Sequence, residues 1–235
     1  MLFSLFTNAL LSIADFGACP LEKVAIYLIR KTIITSIIFY ILFNQTEKEL
    51  YMSKWIKTGE AKLAYHTPIF DVVKQPMKTP DGKDFEAIEI KASDWMSAVI
   101  FNKDTKKVVL VKEYRHGIGR DIYEFPSGTC EPNEDIETTC IREVAEETGY
   151  QTVRILKKLY TASPNPAFMT NSINSFLVEV TGKRAKQHLD ADEFISIEEK
   201  TPEEVEQLIM NADDVSIMQK HAWTLAKSEI ERLIG

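Results

Sequence analysis

Seven residues near the middle of the chain have the types and the spacing to do chemistry. They lie in the segment GTCEPNEDIETTCIREVAEETGY, which runs from Gly128 to Tyr150. On a helix, Glu143, Glu146 and Glu147 would fall within an arc of about 100°. Three carboxylates on one face repel each other unless a cation joins them, and such oxygen ligands suit Mg²⁺ or Mn²⁺ rather than zinc. The fixed positions are Gly128, Glu134, Arg142, Glu143, Glu146, Glu147 and Gly149.

The remaining residues of this segment would support the carboxylates. Arg142 would hold one of them by a bidentate contact. Glu134 would pair with Arg142 or order the outer shell of the metal. Gly128 would permit the tight backbone that brings the carbonyl of Ser127 toward the metal. An adjacent face of the helix would pack against a sheet through Cys140, Ile141 and Val144.

A simpler alternative is an exposed acidic helix face with salt bridges between residues three and four apart. It is the better interpretation of any single glutamate. It fails for the whole pattern, because seven fixed identities occur by chance on the order of 10⁻⁸ times per starting position. The segment resembles the Nudix box, the signature of hydrolases that cut a diphosphate linked to a nucleoside and another group. Only Tyr150 departs slightly, since the family usually has an aliphatic residue there. The resemblance implies Ser127, Glu143, Glu146 and Glu147 as metal ligands, and Arg142, Glu143 and Glu147 as catalytic residues.

Sequence outside the box is similar to one branch of this family, the ADP-ribose and nucleoside-diphosphate-sugar pyrophosphatases. The similar parts are the run ending in Arg115 and the run Glu124-Phe125-Pro126-Ser127-Gly128. The resemblance implies that Arg115 contacts substrate and that Glu124 lies near the metal. Pro166 fills the position of a proline that is typical of ADP-ribose hydrolases.

An acidic run from Asp190 to Glu199 is similar to the loop that delivers a catalytic carboxylate in this branch, and Glu193 aligns with that residue. Two departures occur upstream: Asn165 replaces the usual glycine, and no acidic residue follows before Glu179. These departures favour Glu193 as the general base. They leave open which sugar and which nucleobase the substrate contains.

The bulk properties restrict the class of protein. A net charge of −7 over 235 residues argues against bulk nucleic-acid binding, which needs a basic face. Cys19, Cys130 and Cys140 contain no CxxC pair, so we expect plain thiols and a cytoplasmic, reducing location.

Residues 1–51 differ from the rest of the chain. Their apolar stretch 32–43 is too short to span a bilayer, which needs about 20 residues. Three explanations stay open: a true start at Met52, a membrane anchor, or an ordered extra helix. We expect no membrane association for the remainder of the chain.

Element signals predict an α+β fold, a Nudix-type αβα sandwich with a mixed sheet. A helix should run from near Asp135 to Thr148 and end at Gly149, a second should start at the capping box 201–204, and a third near Ser216. The resemblance implies a small N-terminal β subdomain over 52–94, which helps to form a homodimer, and the Nudix domain over 95–235. The expected strands are Ala61–Val73, Phe85–Lys91, Trp95–Phe101, Lys107–Glu113, Ile122–Phe125, Val153–Tyr160 and Ile173–Val180.

The function that this pattern predicts is metal-dependent hydrolysis of ADP-ribose or a related nucleoside diphosphate sugar to a nucleoside monophosphate and a sugar phosphate. Two alternatives remain. One is cleavage of another nucleotide, such as a dinucleotide, coenzyme A or a nucleoside triphosphate. The other is a Nudix domain that senses ADP-ribose without cutting it. The expected partners are a small nucleotide and a second copy of the chain.

Overall fold

The computed structural model describes residues 31–38, 54–190 and 193–235. Residues 31–38 are helical. Within the described ranges, no helix combines the length and the apolar character needed to cross a membrane. The rest of the predicted extension 1–51 lies outside the described residues, so the three explanations for it stay predictions.

The chain divides into two compact units. One comprises Met1–Glu60 and Pro76–Glu86, and the other comprises Ala61–Gln75 and Ala87–Gly235. The domain boundaries expected from the sequence stay predictions.

The described part of the first unit includes a short strand and a turn. Strand β1 (Ile56–Lys57) pairs antiparallel with the end of strand β3 (Phe70–Lys78). A turn follows β3 at 79–83, where Gly82 has a φ of 83°. Beside it, the ring of Trp55 meets that of Phe85 edge-on, with the centroids 5.2 Å apart.

A four-stranded sheet has the order β1-β3-β2, with β4 (Asp84–Ala92) paired to β3. The predicted β-rich run Ala61–Val73 contains two strands separated by a turn, β2 and the start of β3. Strand β2 (Lys62–His66) ends at a tight turn, in which the hydroxyl of Thr67 accepts hydrogen bonds from the N–H groups of Ile69 and Phe70. A threonine side chain that bonds to nearby backbone groups offers the chain an alternative to the sheet ladder.

A seven-stranded mixed sheet forms the body of the second unit. Its order is β11-β6-β5-β10-β9, with β7 added to β6 and β8 added to β5. Strands β5 and β10 are parallel, and the other pairs are antiparallel. The strands are β5 (Trp95–Asn102), β6 (Lys107–Arg115), β7 (Arg120–Glu124), β8 (Ser127–Thr129), β9 (Thr152–Ala162), β10 (Ile173–Thr181) and β11 (Ser196–Lys200).

Three helical segments cover this sheet, and their ends follow the sequence signals. Helix α1 (Ile136–Thr148) is capped by Asp135 and ends at Gly149, whose φ is 74°. The shorter α2 (Pro202–Val205) begins with the expected capping box and continues into a π-helical turn. Helix α3 (Ile217–Ile234) begins after Ser216.

The two faces of the sheet carry separate hydrophobic cores, so the predicted αβα layering is confirmed. On one face Cys140 and Val144 of α1 are buried, but Ile141 is 45% exposed, and the prediction that it packs on the sheet is wrong. Ile141 is one residue further along the helix than Cys140, so its side chain points outside the arc that faces the strands. The α1-side core also contains Met96, Ala98, Ile100, Val109, Tyr150, Phe176, Val178 and Val180. The α3-side core is built from Val99, Phe101, Val108, Leu110, Phe125, Leu177, Val205, Ile209, Val215, Ala222, Trp223, Ala226 and Ile230.

Tyr150, the one loose position of the box, lies in the α1-side core with its ring 2% exposed. Its hydroxyl donates to Glu199 Oε1 at 2.6 Å and accepts from Asn102 Nδ2 at 2.7 Å. A buried tyrosine needs such partners for its polar end. The residue therefore ties the end of α1 to strand β11, which an aliphatic side chain cannot do.

Candidate active site

An acidic cleft of about 1050 Å³ lies in the second unit, beside α1 and the ends of β6 and β8. Carboxylates and arginines dominate it. Of the residues singled out from the sequence, those that line it are Arg115, Ser127, Gly128, Arg142, Glu143, Glu146 and Glu193. The fold thus brings together side chains from four separate segments of the chain.

Arg142 connects most of the box. Its Nε and Nη2 bind the two oxygens of Glu134 at 3.0 and 2.9 Å, which is the bidentate geometry that guanidinium and carboxylate favour. Its Nη1 donates to Glu143 at 2.9 Å and to Glu146 at 3.0 Å. Chiefly because of the hydrogen bonds from Arg142, the pKa of Glu134 falls from 4.5 to about 2. Arg142 therefore organises three carboxylates around itself.

Glu147 occupies the most unusual environment of the site. Its side chain is 4% exposed, and its Oε2 has no hydrogen-bond partner among the described residues. Burial raises its pKa well above the usual range, and the negative charges of Glu143, Glu193 and Glu113 raise it further. A hydrogen bond with the backbone of Ser127 acts in the opposite direction. An unpaired buried carboxylate is costly, so this position calls for a cation.

Gly128 is required for space rather than for backbone conformation. It lies in the short strand β8. A Cβ atom at this position would be 2.0 Å from Cδ of Glu143 and 2.1 Å from its Oε1. Burial raises the pKa of Glu143, while the charge of Arg142 lowers it in part. The sequence suggested that Gly128 permits a tight backbone beside Ser127, and the structure adds a second reason, the close approach of the Glu143 carboxylate.

Arg115 and two glutamates form the neighbouring wall. Arg115 Nε donates to Glu124, and Arg115 Nη1 donates to Glu113 Oε1 at 3.2 Å. Burial lowers the pKa of Arg115, but Glu124 and Glu113 more than offset this and raise it. Burial also raises the pKa of Glu113, with Arg115 acting against it. Glu113 stands two positions before Arg115 but is not among the site residues predicted from the sequence.

The segment that carries Glu193 is fastened to the end of α1. The N–H of Ala185 donates to the Gly149 carbonyl at 2.7 Å, and that of His188 donates to the Glu146 carbonyl at 3.0 Å. Gln187 Nε2 donates to the Glu147 carbonyl at 2.6 Å and makes a longer contact of 3.4 Å with the carbonyl of Ile195. These bonds satisfy carbonyls that a helix end leaves free.

The fit of the site to a metal rests on its donor chemistry. Within the described ranges, no three acidic, histidine or cysteine side chains stand in a position to hold an ion as they are. Glu143 and Glu146 are engaged by Arg142 instead. The available donors are nevertheless all carboxylate and carbonyl oxygens, and Oε2 of Glu147 has no hydrogen-bond partner among the described residues. Hard divalent cations prefer such ligands.

Glu124, Glu134, Glu147 and Pro166 were singled out from the sequence but do not line the acidic cleft. Glu124, 6% exposed, lines a smaller cavity next to it. Pro166 is exposed in the loop after β9. The same loop contains Asn165, whose side chain accepts a hydrogen bond from the N–H of Ala167 at 3.1 Å.

Comparison with known proteins identifies the family of this chain. A NUDIX domain model matches residues 95–221. An ADP-ribose pyrophosphatase of Bacillus subtilis (strain 168) is 32% identical over 154 residues, which cover 65% of this chain and 82% of the relative. The methanol dehydrogenase activator of Bacillus methanolicus is 29% identical over 162 residues, covering 68% of this chain and 85% of the relative. A crystal structure of ADP compounds hydrolase has a similar fold, with a TM-score of 0.59 and 15% identity over 74% of this chain and 92% of that one.

The chain belongs to the Nudix family. It is a Nudix hydrolase of the ADP-ribose pyrophosphatase type, and the predicted family, enzyme class and α+β fold are confirmed.

Proposed function

We propose that this chain hydrolyses the diphosphate bond of ADP-ribose or a related nucleoside diphosphate sugar, giving a nucleoside monophosphate and a sugar phosphate. The observation that carries the proposal is Glu147, a buried carboxylate with an unpaired oxygen. Burial raises its pKa, and the charges of Glu143, Glu193 and Glu113 raise it further. Such a site suits a substrate that brings divalent cations with its phosphates. Arg115, at the same cleft, suits the phosphates themselves.

Glu143, Glu146, Glu147 and the carbonyl of Ser127 would hold Mg²⁺ or Mn²⁺. Bound there, the metal would offset the charge of the diphosphate and lower the pKa of a water molecule. Arg142 already positions two of these carboxylates, at 2.9 and 3.0 Å. Its role is to keep them oriented while the charge of the site changes.

Glu193 is our choice for the group that accepts the proton of the attacking water. It lines the same cleft as Glu143 and lies near enough to Glu147 to raise the pKa of that residue. Its side chain accepts a hydrogen bond from the N–H of Asp190 at 3.0 Å, which fixes its orientation. Arg115 would hold a phosphate oxygen and keep the scissile bond in place.

A phosphate-release screen tests this function. The full chain would be incubated with Mg²⁺ and with ADP-ribose, sugar nucleotides, dinucleotides, coenzyme A or nucleoside triphosphates, followed by a phosphatase that frees phosphate from the products. We expect the highest kcat/KM for ADP-ribose or another nucleoside diphosphate sugar, and no activity with excess chelator.

Other outcomes of this screen would replace the proposal. A preference for dinucleotides, coenzyme A or triphosphates would assign a different Nudix substrate. Binding of ADP-ribose by calorimetry, with no release from any compound, would indicate a sensing domain.

A further inference from the structure

The last glycine of the box, Gly149, does more than end helix α1. Its φ of 74° is the left-handed conformation that ends many helices, and its N–H donates to the Ala145 carbonyl at 2.9 Å. A Cβ atom at Gly149 would also lie 2.3 Å from the carbonyl oxygen of Ala185. The absence of a side chain therefore leaves the space in which the segment that carries Glu193 packs against the helix end.

The atom that a side chain at Gly149 would meet belongs to the backbone. At Gly128, by contrast, the added atom would meet the flexible end of Glu143. The N–H of Ala185 also donates to the Gly149 carbonyl at 2.7 Å, so the two stretches of backbone are in direct contact. A backbone carbonyl cannot turn aside as a side chain can, and a substitution at position 149 would therefore push the segment itself away from α1.

The next residue, Tyr150, holds the chain on the other side of Glu193. Its hydroxyl donates to Glu199 Oε1 at 2.6 Å, in strand β11 at the edge of the sheet. Asn102 Nδ2 donates to the same oxygen at 3.0 Å, and Thr105 donates to Oε2 at 2.6 Å. Burial raises the pKa of Glu199, but these hydrogen bonds more than offset it and lower the pKa. The carboxylate is therefore charged and firmly held.

We propose that Gly149 and Tyr150 are positioning residues for the reaction, which fix the chain before and after Glu193 and so hold its carboxylate at the acidic cleft. The contact of Gly149 with Ala185 is the first anchor, and the bond of Tyr150 to Glu199 is the second. The proposal rests on the proposed function, in which Glu193 accepts the proton of the attacking water. Both residues directly follow α1, so one helix sets the proposed metal ligands and the base relative to each other. A misplacement of about 1 Å can reduce a rate about a hundredfold.

Gly149→Asn tests the first anchor. Asparagine tolerates the left-handed conformation better than most side chains, so the helix end is kept while the added Cβ meets Ala185. For ADP-ribose, we expect kcat to fall by at least about tenfold and KM to change by less than about twofold, because Arg115 is not displaced. Amide exchange measured by NMR should become faster at Ala185 and His188, which donate to α1, and stay unchanged at residue 149, which bonds within the helix.

Gly182→Asn is the matched control. Gly182 has a φ of 86°, and a Cβ atom there meets nothing within 4 Å. The substitution therefore repeats the backbone conformation of Gly149→Asn without an obstacle, and it should keep the kcat and the Ala185 exchange of the wild type. Equal losses in both variants, or a wild-type kcat in Gly149→Asn, would overturn the proposal. Thermal unfolding checks that each variant is folded.

Tyr150→Phe tests the second anchor, and it decides the proposal if Gly149→Asn does not fold. The ring keeps its place in the α1-side core, and the hydrogen bonds to Glu199 and Asn102 are lost. We expect kcat to fall by about threefold to tenfold, the ratio that a lost hydrogen bond corresponds to, with KM nearly unchanged.

Tyr123→Phe is the control for the second anchor. The hydroxyl of Tyr123 donates to Glu198 Oε1 at 2.8 Å, so its loss removes a tyrosine–glutamate bond to the same strand, but from β7 rather than from the end of α1. This variant should keep the wild-type kcat. A normal kcat in Tyr150→Phe, or the same loss in Tyr123→Phe, would contradict the second anchor.

Amide exchange measured without substrate separates this proposal from the proposed function. If no nucleoside diphosphate sugar is cleaved, the proposed function fails, and the exchange rate at Ala185 still decides whether Gly149 fixes the segment. A normal kcat together with faster exchange in Gly149→Asn would refute the positioning role even where hydrolysis is observed.

Discussion

Glu193 lines the acidic cleft, while Glu147 is buried close enough to Glu193 for the two charges to interact, and we assign the two residues different roles. Replacing either by glutamine keeps the side-chain size and removes the charge, so Glu147→Gln would lose a metal ligand and Glu193→Gln would lose the base. We expect each to reduce kcat by at least about a hundredfold. Glu147→Gln should not destabilise the fold, since its buried charge is unfavourable.

Steady-state kinetics and thermal unfolding measure both effects. Glu137→Gln, on the exposed first turn of α1, is the matched control and should keep normal activity. A near-normal rate in Glu193→Gln would move the base elsewhere, and one in Glu147→Gln would contradict the whole assignment.

Gly128 allows function and stability to be separated at one position. An added methyl group would meet the Glu143 carboxylate at 2.0 Å, which is the far end of a flexible side chain. The carboxylate can move away at small cost, but it then leaves its place in the site. We expect Gly128→Ala to reduce kcat by at least about tenfold and to change the unfolding temperature little.

Gly117→Ala is the control for that substitution, because a Cβ atom there meets nothing within 4 Å. It should behave as the wild type. If Gly128→Ala were fully active, the close approach of Glu143 would have no functional meaning.

The Glu134–Arg142 pair predicts a pH dependence of stability. The pKa of Glu134 is lowered in the folded protein from 4.5 to about 2, so its charge stabilises the fold above pH 4.5. This contribution declines as the pH falls from 4.5 toward 2. Glu134→Gln should therefore be less stable than the wild type at pH 6 to 8, and the difference should shrink below pH 4.5.

Urea unfolding at several pH values measures that difference. Glu137→Gln, which changes the same charge without the Arg142 contact, should show a smaller one. If the difference in the free energy of unfolding between the wild type and Glu134→Gln stayed constant down to pH 3, the ion pair would be ruled out as its source.

At the scale of elements, Gln187 links the end of α1 to the segment that carries Glu193. Its Nε2 donates to the Glu147 carbonyl at 2.6 Å. Gln187→Ala should loosen that segment and lower kcat by about tenfold, with KM much less affected, because the base is displaced and the phosphate contacts remain. Hydrogen exchange of 183–195 should become faster.

The matched control is Gln151→Ala. Gln151 is exposed and makes a longer bond, 3.4 Å, to the Gly149 carbonyl at the same helix end. It should change neither kcat nor exchange. Equal effects in both variants would mean that Gln187 acts only on the stability of the helix end.

Sequence signals were strongest where structure is local. Asp135 and Gly149 set the ends of α1, because a cap and a left-handed glycine act within a few residues. Strand β8 was missed because three small or polar residues carry no apolar pattern. Strand β11 was missed because SIEEK is charged and lies at the sheet edge, held by β6 alone.

In the candidate site, too, the sequence predicts the residues that lie close together in the chain and misses those that come from distant segments. Helical spacing groups Glu143, Glu146 and Glu147 in advance, since one helix carries all three. Glu113 and Gln187 reach the site only because distant segments of the chain pack together. The sequence around each of them does not indicate a place in the site. The spacing of residues in the sequence does not predict that the Glu143 carboxylate occupies the space that a side chain at position 128 would fill.

At the scale of the whole molecule, we propose a homodimer. Strand β2 and the turn after it expose large apolar side chains: Leu63 is 61%, Tyr65 65% and Ile69 71% exposed. Such a group on a strand surface is typical of a protein–protein interface. Light scattering should give twice the mass of 26.8 kDa. The double substitution Leu63→Glu/Tyr65→Glu should give a monomer.

Lys62→Glu is the control, because it adds a negative charge to the same strand without removing apolar surface. It should remain a dimer. A wild-type protein that is stably monomeric and fully active would refute the proposal.

The unpaired oxygen of Glu147 has a consequence for the protein outside catalysis. A buried charge without a partner makes the ligand-free molecule less stable than its two cores alone would make it. Whatever neutralises that charge binds the folded state and not the unfolded one, so occupancy and folding are thermodynamically linked. The lifetime of the polypeptide against unfolding and proteolysis will then depend on the supply of cation and nucleotide.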